Sequence, residues 1–583
     1  MTASPASDAA AALLADLIGH GVRDLVLSPG SRSQALALAA ISLARNGALR
    51  VHVRIDERVA AFTALGLARE SGAPVAVVCT SGTAAGNLLP ATMEAFHAGV
   101  PLLLLTADRP PELRGVGANQ ATVQPGIFGP FVRLHIDAEV PGASEFSDET
   151  DAGRRVTDGH ADGGPDDPTV PTGGTAWSGL AARAVRAALG LEGDGLAGVA
   201  GPVHLNLPSR EPLSAAADVT ATPGEAPVAS RVDPVVLSRG PRTVVIAGAD
   251  AGPDAEELSH AGGWPLIAEI VSGARFGRLL VHGYRELLRD ETLGGRVERA
   301  VVFGHPTLSR EVAALLARTE VDVIAVSRGG EAINLNGRTR AVAATAVEPG
   351  AADRAWLGAW MSASQRRVVD LSAPAPDQKG LYSDDSAERL DAVRAELDAV
   401  RMRVDRRILV DAVWRATWPH DRLVFGSSRL VRVADQVLGG KKVPVHANRG
   451  LAGIDGTVAT GIGIALASQA DGAPGVTRVL LGDLTLLHDV GALLLPGDEP
   501  GPRIQVIVGN DGGGTIFDGL EVASSAAAAD LDRAFYTPHG VRVHELAAAY
   551  GWEFLQVSTR SALDQALTSP AGGPQIIEVP LER

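Results

Sequence analysis

Cysteine is all but missing: Cys79 is the single one in 583 residues. A lone thiol excludes an intrachain disulfide framework and any cysteine-based zinc cluster. It sits in the apolar run Val75-Ala-Val-Val-Cys79-Thr80, which reads as a strand, so a buried structural thiol is expected rather than a nucleophile. Positive charge is in deficit as well. A net charge of −16 argues against a general nucleic-acid or anionic-membrane surface, so an anionic substrate has to be met by local arginines. No uninterrupted apolar run reaches the length of a membrane span; Val100-Pro-Leu-Leu-Leu-Leu-Thr106 reads as a strand, and membrane insertion is not expected. Met1–Asp8 has no basic region ahead of an apolar stretch, so no signal peptide is expected and the chain is read as cytoplasmic. Nor is the strand Thr243-Val-Val-Ile-Ala-Gly248 of the middle third followed by a Gly-x-Gly-x-x-Gly turn. Gly248-Ala-Asp-Ala-Gly252 stands in its place, and a dinucleotide site is not supported.

What is present is a strand, a glycine or serine turn and a helix, repeated. Asp24-Leu-Val-Leu-Ser28 runs through Pro-Gly-Ser-Arg into the apolar helix Gln34–Ala44, and Val75–Cys79 leads into Thr80-Ser-Gly-Thr-Ala84 and another helix. This alternation predicts an α/β protein of doubly wound, mainly parallel sheets. The last third repeats the plan: Leu423–Ser428 mirrors Leu25–Gly30, Arg478–Asp483 mirrors Val75–Thr80, and Ile504–Asn510 mirrors Leu102–Asp108. The intervals agree, with 27 residues from Cys79 to Thr106 and 28 from Leu481 to Gly509. A third α/β unit lies between them, marked by Thr243–Gly248, Ala300–Gly304 and Val321–Val326. The expected organisation is an N-terminal domain over 1–213, with a mobile insertion at 142–174, then a central domain over 214–371, a linker over 372–386 and a C-terminal domain over 387–583.

Two motifs carry chemistry. Gly482-Asp483 and Asn510-Asp511-Gly512 each follow a strand, and 27 residues separate Asp483 from Asn510. On adjacent parallel strands this spacing brings Asp483, Asn510 and the carbonyl of Gly512 to the C-terminal edge, where open α/β sheets bind ligands. Three hard oxygens suit Mg²⁺, which takes its remaining ligands from water and a diphosphate. A helix starting near Leu484 turns its first amides the same way. Each motif alone would be a turn former; the pair at matched strand ends favours a metal site. The second motif, Arg54-Ile-Asp-Glu57-Arg58, places Glu57 where a strand enters the apolar helix Val59-Ala-Ala-Phe-Thr-Ala-Leu65.

The Asp483–Asn510 pattern resembles the thiamine diphosphate signature, with Leu484 in place of its third glycine and Asp511 in place of its second asparagine. That resemblance implies thiamine diphosphate held through Mg²⁺, or Mn²⁺, with Asp483, Asn510 and Gly512 as metal ligands. It also implies that Glu57 protonates the aminopyrimidine ring and that Ile454 props the bent cofactor. In this superfamily the two ends of one cofactor are held by two subunits, which implies a homodimer at least, and a homotetramer as a dimer of dimers.

Eight further segments resemble one family closely: Ser28-Pro-Gly-Ser-Arg-Ser33, Asp56-Glu-Arg58, Thr80-Ser-Gly-Thr-Ala84, Leu105-Thr-Ala-Asp-Arg-Pro-Pro-Glu-Leu113, Gly117-Ala-Asn-Gln120, Gly426-Ser-Ser428, Asn448-Arg-Gly450 and Gly453-Ile-Asp-Gly456. The family is the 2-succinyl-5-enolpyruvyl-6-hydroxy-3-cyclohexene-1-carboxylate synthases of menaquinone biosynthesis, in which Leu484 is itself usual. It implies a carbon–carbon bond-forming transferase that joins 2-oxoglutarate, after decarboxylation, to isochorismate by conjugate addition. Both substrates carry two carboxylates, and Arg pairs with carboxylates bidentately. Arg32, Arg109, Arg432 and Arg449 fall on motif turns where a sheet edge would present them, and Arg310 matches a basic position of the central domain. By the resemblance, Glu57, Arg32, Gln120, Arg432 and Arg449 form the catalytic set. Ser31, Arg109, Asn119 and Arg310 join the substrate set, and Ser428 and Gln120 the cofactor set. The Ser-Arg-Ser and Asp-Glu-Arg turns lack the histidines of many 2-oxoacid decarboxylases, which fits bond formation over protonation. Two alternatives are disfavoured. An acetolactate synthase-like or decarboxylase enzyme acting on pyruvate would not need the arginines, and an inactive regulatory subunit would not need Glu57, Asp483 and Asn510 together.

Overall fold

The computed structural model describes residues 4–142, 177–191, 198–215, 218–228, 232–326, 330, 333–499 and 501–583. The expected insertion at 142–174 lies, Gly142 apart, outside the described residues. Three open sheets organise the described residues. The first has six strands, β1 (Asp24–Leu27), β2 (Arg50–Val53), β3 (Val75–Cys79), β4 (Leu102–Asp108), β5 (Leu134–Asp137) and β6 (Val203–Pro208), in the order β2-β1-β3-β4-β6-β5. Each of its pairs is parallel. β1, β3, β4 and β6 are buried along their whole length, whereas the edge strand β5 alternates. Burial on both faces is why the interior strands read as unbroken Val and Leu runs.

The central sheet holds β8 (Thr243–Ala247), β9 (Leu266–Ala268), β10 (Arg299–Phe303), β11 (Asp322–Val326) and β12 (Arg340–Val342), in the order β12-β11-β10-β8-β9. β7 (Val235–Leu237) and β13 (Thr345–Val347) pair separately beside it. The segment expected as a plain linker contains one helical turn, Gln378–Leu381, which Asp377 caps by accepting from the amide of Gly380. The third sheet holds β14 (Arg422–Phe425), β15 (Val445–His446), β16 (Thr477–Gly482), β17 (Ile504–Asn510), β18 (Glu553–Gln556) and β19 (Gln575–Pro580), in the order β15-β14-β16-β17-β19-β18. Strand for strand this is the order of the first sheet, so the mirrored segments of the sequence occupy equivalent places.

The first and third sheets share one apolar core, built from the helices Glu57–Ser71 and Thr457–Ser468 and the strands behind them. The two helices cross at glycines. A Cβ on Gly66 would sit 2.1 Å from the carbonyl oxygen of Thr460, and one on Gly463 would sit 2.0 Å from that of Thr63. Backbone therefore meets backbone, with no room for a methyl group. Gly463→Ala should destabilise by about 1–3 kcal/mol through overpacking, even though alanine by itself favours a helix by up to about 1 kcal/mol. Gly358→Ala, on the exposed face of the helix Arg354–Gln365 with nothing within 4 Å, should stabilise. Urea unfolding midpoints read both, and a Gly463→Ala protein as stable as the parent would show that the crossing is not tight.

Candidate active site

In the third sheet the chain passes from β14 outward to β15 and then crosses back to β16, so a topological switch point lies between β14 and β16. Ligands of open α/β sheets bind outside such a point, at the carboxyl ends of the strands. Gly482 of β16 is in register with Gly509 of β17, so Asp483 and Asn510 leave the sheet side by side. A cavity of about 120 Å³ opens there, lined among others by Ser428, Ile454, Asp483, Leu484, Asp511 and Thr515. Ser428 caps the helix Arg429–Val437 by accepting from the amide of Leu430.

Asp483 is buried, and its carboxylate accepts from the amides of Leu484 and Gly513, both at 2.8 Å. Nε2 of His539 lies 3.1 Å from the same carboxylate. Burial, reinforced by the charge of Asp511, raises the Asp483 pKa above its ordinary value, while the Leu484 amide and His539 oppose the rise. Asn510 donates to Glu578 at 2.7 Å and accepts from the Gly512 amide at 3.1 Å. That fixes the amide's orientation and bends the chain at Gly512, whose φ of +73° favours glycine.

The arginines of this half lie where the third and central sheets meet. Arg449 is buried, donating to the Thr307 hydroxyl at 2.9 Å and the Ser427 hydroxyl at 3.2 Å. Its loop is anchored by Glu94, which accepts from the amides of Gly450 and Leu451 at 2.8 and 2.7 Å. Arg432 is not on a turn as expected but in the first turn of the helix Arg429–Val437. The reason is Ser428, whose cap starts the helix one residue after the Gly-Ser-Ser turn. Partial burial, with the charges of Arg285 and Arg310, lowers the Arg432 pKa. Its helix is pinned to the helix Tyr284–Arg289 beside the central sheet by buried Asp435, which accepts from Tyr284 and Arg285 at 2.7 Å. Arg310 opens the helix Arg310–Leu316 and is largely solvated, 3.7 Å from Glu521.

The other predicted residues gather at the matching edge of the first sheet. Arg32 is buried; its amide donates to the Thr80 hydroxyl at 3.2 Å, bridging the turns after β1 and β3. Gly30 is required there, since a Cβ would lie 2.2 Å from the Thr80 side chain. Arg109 donates to the carbonyl of Asn119 at 3.0 and 2.6 Å. Gln120, at a φ of 56°, donates to the Ser81 carbonyl while the Ser81 hydroxyl donates back to its own. Ser31, Asn119 and Gln120 are exposed. Glu57 is the first residue of its helix, capped by Asp56, and is half-buried with the Asn87 amide 3.5 Å away. The structure therefore places the predicted residues in two groups, and Glu57 does not line the cavity of Asp483.

Residues 7–127 match the family model described as the thiamine pyrophosphate enzyme, N-terminal TPP binding domain. A 2-succinyl-5-enolpyruvyl-6-hydroxy-3-cyclohexene-1-carboxylate synthase from Leifsonia xyli is 53% identical, over 100% of this chain and 97% of that protein. The chain belongs to that synthase family. Synthases of the same name from Clavibacter michiganensis and Mycobacterium avium are 50% and 37% identical, each over 100% of this chain and 97% of their own. In fold the chain is similar to benzoylformate decarboxylase from Polynucleobacter necessarius, with a TM-score of 0.63 at 14% identity over 100% of this chain and 99% of that one.

The structure adds site neighbours that the motifs did not reveal: His539 against Asp483, Glu578 against Asn510, and Glu94 beneath the Arg449 loop. Cys79 is fully buried as expected, and burial pushes its thiol pKa up. Asp489, which follows the Asp483 helix, accepts from the Ala459 amide at 2.9 Å, with Arg58 4.0 Å away. Burial raises its pKa from 3.8 to about 7. The folded state then holds this proton over a range where the unfolded chain has lost it, so the Asp489 contribution to stability falls as pH rises from about 4 to about 7 and is constant above that. Relative to Asp489→Asn, wild type should lose stability across this range with a slope approaching about 1.4 kcal/mol per pH unit. A difference in unfolding free energy that does not change with pH would contradict the assignment.

Proposed function

We propose that the chain catalyses the thiamine diphosphate-dependent decarboxylation of 2-oxoglutarate and adds the resulting succinyl unit to isochorismate. The products are 2-succinyl-5-enolpyruvyl-6-hydroxy-3-cyclohexene-1-carboxylate and CO₂, in menaquinone biosynthesis. The observation that carries the reading is the convergence of Asp483 with Ser428 and Ile454 on one cavity at the switch point, beside Asn510 and Gly512.

The donor set fits a hard divalent cation. Asp483 is a buried carboxylate whose pKa is raised, the state of an acid short of positive charge, and Mg²⁺ or Mn²⁺ beside it would reverse that. Asp483, Asn510 and the Gly512 carbonyl would hold the cation. Thiamine diphosphate, when bound, supplies the carbon nucleophile and the electron sink for decarboxylation. Ile454 would support the middle of the cofactor, and Glu57 would hold a proton at its ring nitrogen. Arg32, Arg109, Arg432 and Arg449, with Arg310 at the rim, would fix the substrate carboxylates, while Ser31, Asn119 and Gln120 offer neutral hydrogen bonds. Because Glu57 lies outside the Asp483 cavity of its own chain, the complete site takes Glu57 from a second copy. This supports a homodimer, with a dimer of dimers as its extension. We read the chain as three domains over 1–213, 214–371 and 387–583 joined by 372–386, working in the cytoplasm. No helix among the described residues is long and apolar enough to cross a membrane.

Purified protein with Mg²⁺ and thiamine diphosphate should consume isochorismate only when 2-oxoglutarate is present, followed by loss of isochorismate absorbance. Turnover of pyruvate with no such requirement would overturn the substrate assignment.

A further inference from the structure

Asp511 stands between two candidate cation ligands, Asn510 and Gly512, where the thiamine diphosphate signature has a neutral asparagine. It lines the same cavity as Asp483, so two carboxylates face the space that would take a diphosphate. Left alone, the second carboxylate would repel that ligand across a poorly solvated gap. It is not left alone. Nη2 of Arg406 donates to Asp511 Oδ2 at 2.6 Å, and the Thr515 hydroxyl donates to the same oxygen. Both members of the ion pair are largely buried, with side-chain exposures of 16% for Arg406 and 9% for Asp511.

The guanidinium comes from a stiff element. Arg406 opens the helix Arg406–Ala416, whose start is fixed by Asp405 accepting from the Ile408 amide at 2.8 Å. On the far side, Arg429 holds the segment after Asp511 through Asp518 at 2.7 Å and the Thr515 carbonyl at 3.4 Å. Arg429 is the neighbour of Ser428, so the ties converge from both sides on the turn that follows β17.

We propose that Arg406 and Asp511 are a matched pair of positioning residues, which holds the Asn510–Gly512 turn in place and cancels the charge of Asp511 so that the cavity accepts a diphosphate. The pair stands in for the asparagine of the signature: a neutral side chain at 511 would need no partner, whereas an aspartate does. This inference rests on the cavity being the diphosphate site. It makes the importance of Arg406 conditional on Asp511, and that dependence can be measured.

The test is a double-mutant cycle on the full chain with Arg406→Met, Asp511→Asn and the two combined. Calorimetric affinity for thiamine diphosphate in Mg²⁺ is the main readout, and thermal unfolding of the ligand-free proteins is the second. Arg406→Met alone should weaken binding on the order of 10–100-fold, since it strands a carboxylate beside the phosphates. Adding Asp511→Asn should return affinity to within about threefold of wild type and recover the midpoint lost in ligand-free unfolding. If Arg406→Met does not fold, the combined variant, which buries no lone charge, decides the matter. Its affinity within about threefold of wild type supports the pair. A combined variant as weak as Arg406→Met, or weaker than wild type on the order of tenfold or more, overturns it. Unchanged affinity in Arg406→Met, with tight wild-type binding, also sinks the pair and leaves the cavity assignment standing. Wild type that fails to bind thiamine diphosphate sinks that assignment, and the pair with it.

Discussion

Two helices that touch at glycine hold the molecule to its plan. Gly66 and Gly463 let the Glu57 helix and the Thr457 helix approach until the backbone of one meets the backbone of the other. The apolar cores of the first and third sheets merge behind that contact. An interior packed to this density cannot deform continuously, so the two sheets are fixed with respect to each other. That fixes in turn where the two groups of predicted site residues lie. Glu57 starts the helix on one side of the crossing, and Asp483 lines a cavity that Glu57 does not reach. Under the proposed function, a second copy would complete either group.

Around this frame, charge is handled by pairing inside the fold. In a chain of net charge −16, the arginines proposed to meet anionic substrates lie where the central and third sheets meet and at the edge of the first. At the former, Asp435 anchors the helix of Arg432 and Glu94 anchors the loop of Arg449, while beside the third sheet Arg406 meets Asp511. Each of these carboxylates comes from, or is matched by, an element far away in the chain. The predicted site residues are therefore held less by their own motifs than by partners brought to them through topology.

That division also explains what could be read in advance. Strand ends followed by Gly-Asp or Asn-Asp-Gly were legible because burial on both faces makes interior strands continuous apolar runs, and turn residues mark where they stop. The like order of the first and third sheets could be anticipated from the 27- and 28-residue intervals. Arg432 was misplaced onto a turn because the cap made by Ser428 begins the helix at once. His539, Glu578, Glu94 and Arg406 carried no signal, since nothing in local spacing tells which distant side chain will reach a strand end. The one-turn helix at Gln378–Leu381 depends on a single Asp377 cap within a proline-rich stretch and was likewise invisible.

In the proposed dimer, one site is assembled from the Glu57 side of one copy and the Asp483 side of another. Mixing Glu57→Gln and Asp483→Ala proteins under conditions of subunit exchange tests it directly. Each variant alone should be inactive. The mixed dimer would contain one site with both native residues and one with neither, so an equimolar mixture should regain about a quarter of wild-type activity. A mixture that exchanges subunits, shown by mass spectrometry of differently tagged chains, yet stays inactive would contradict the shared site.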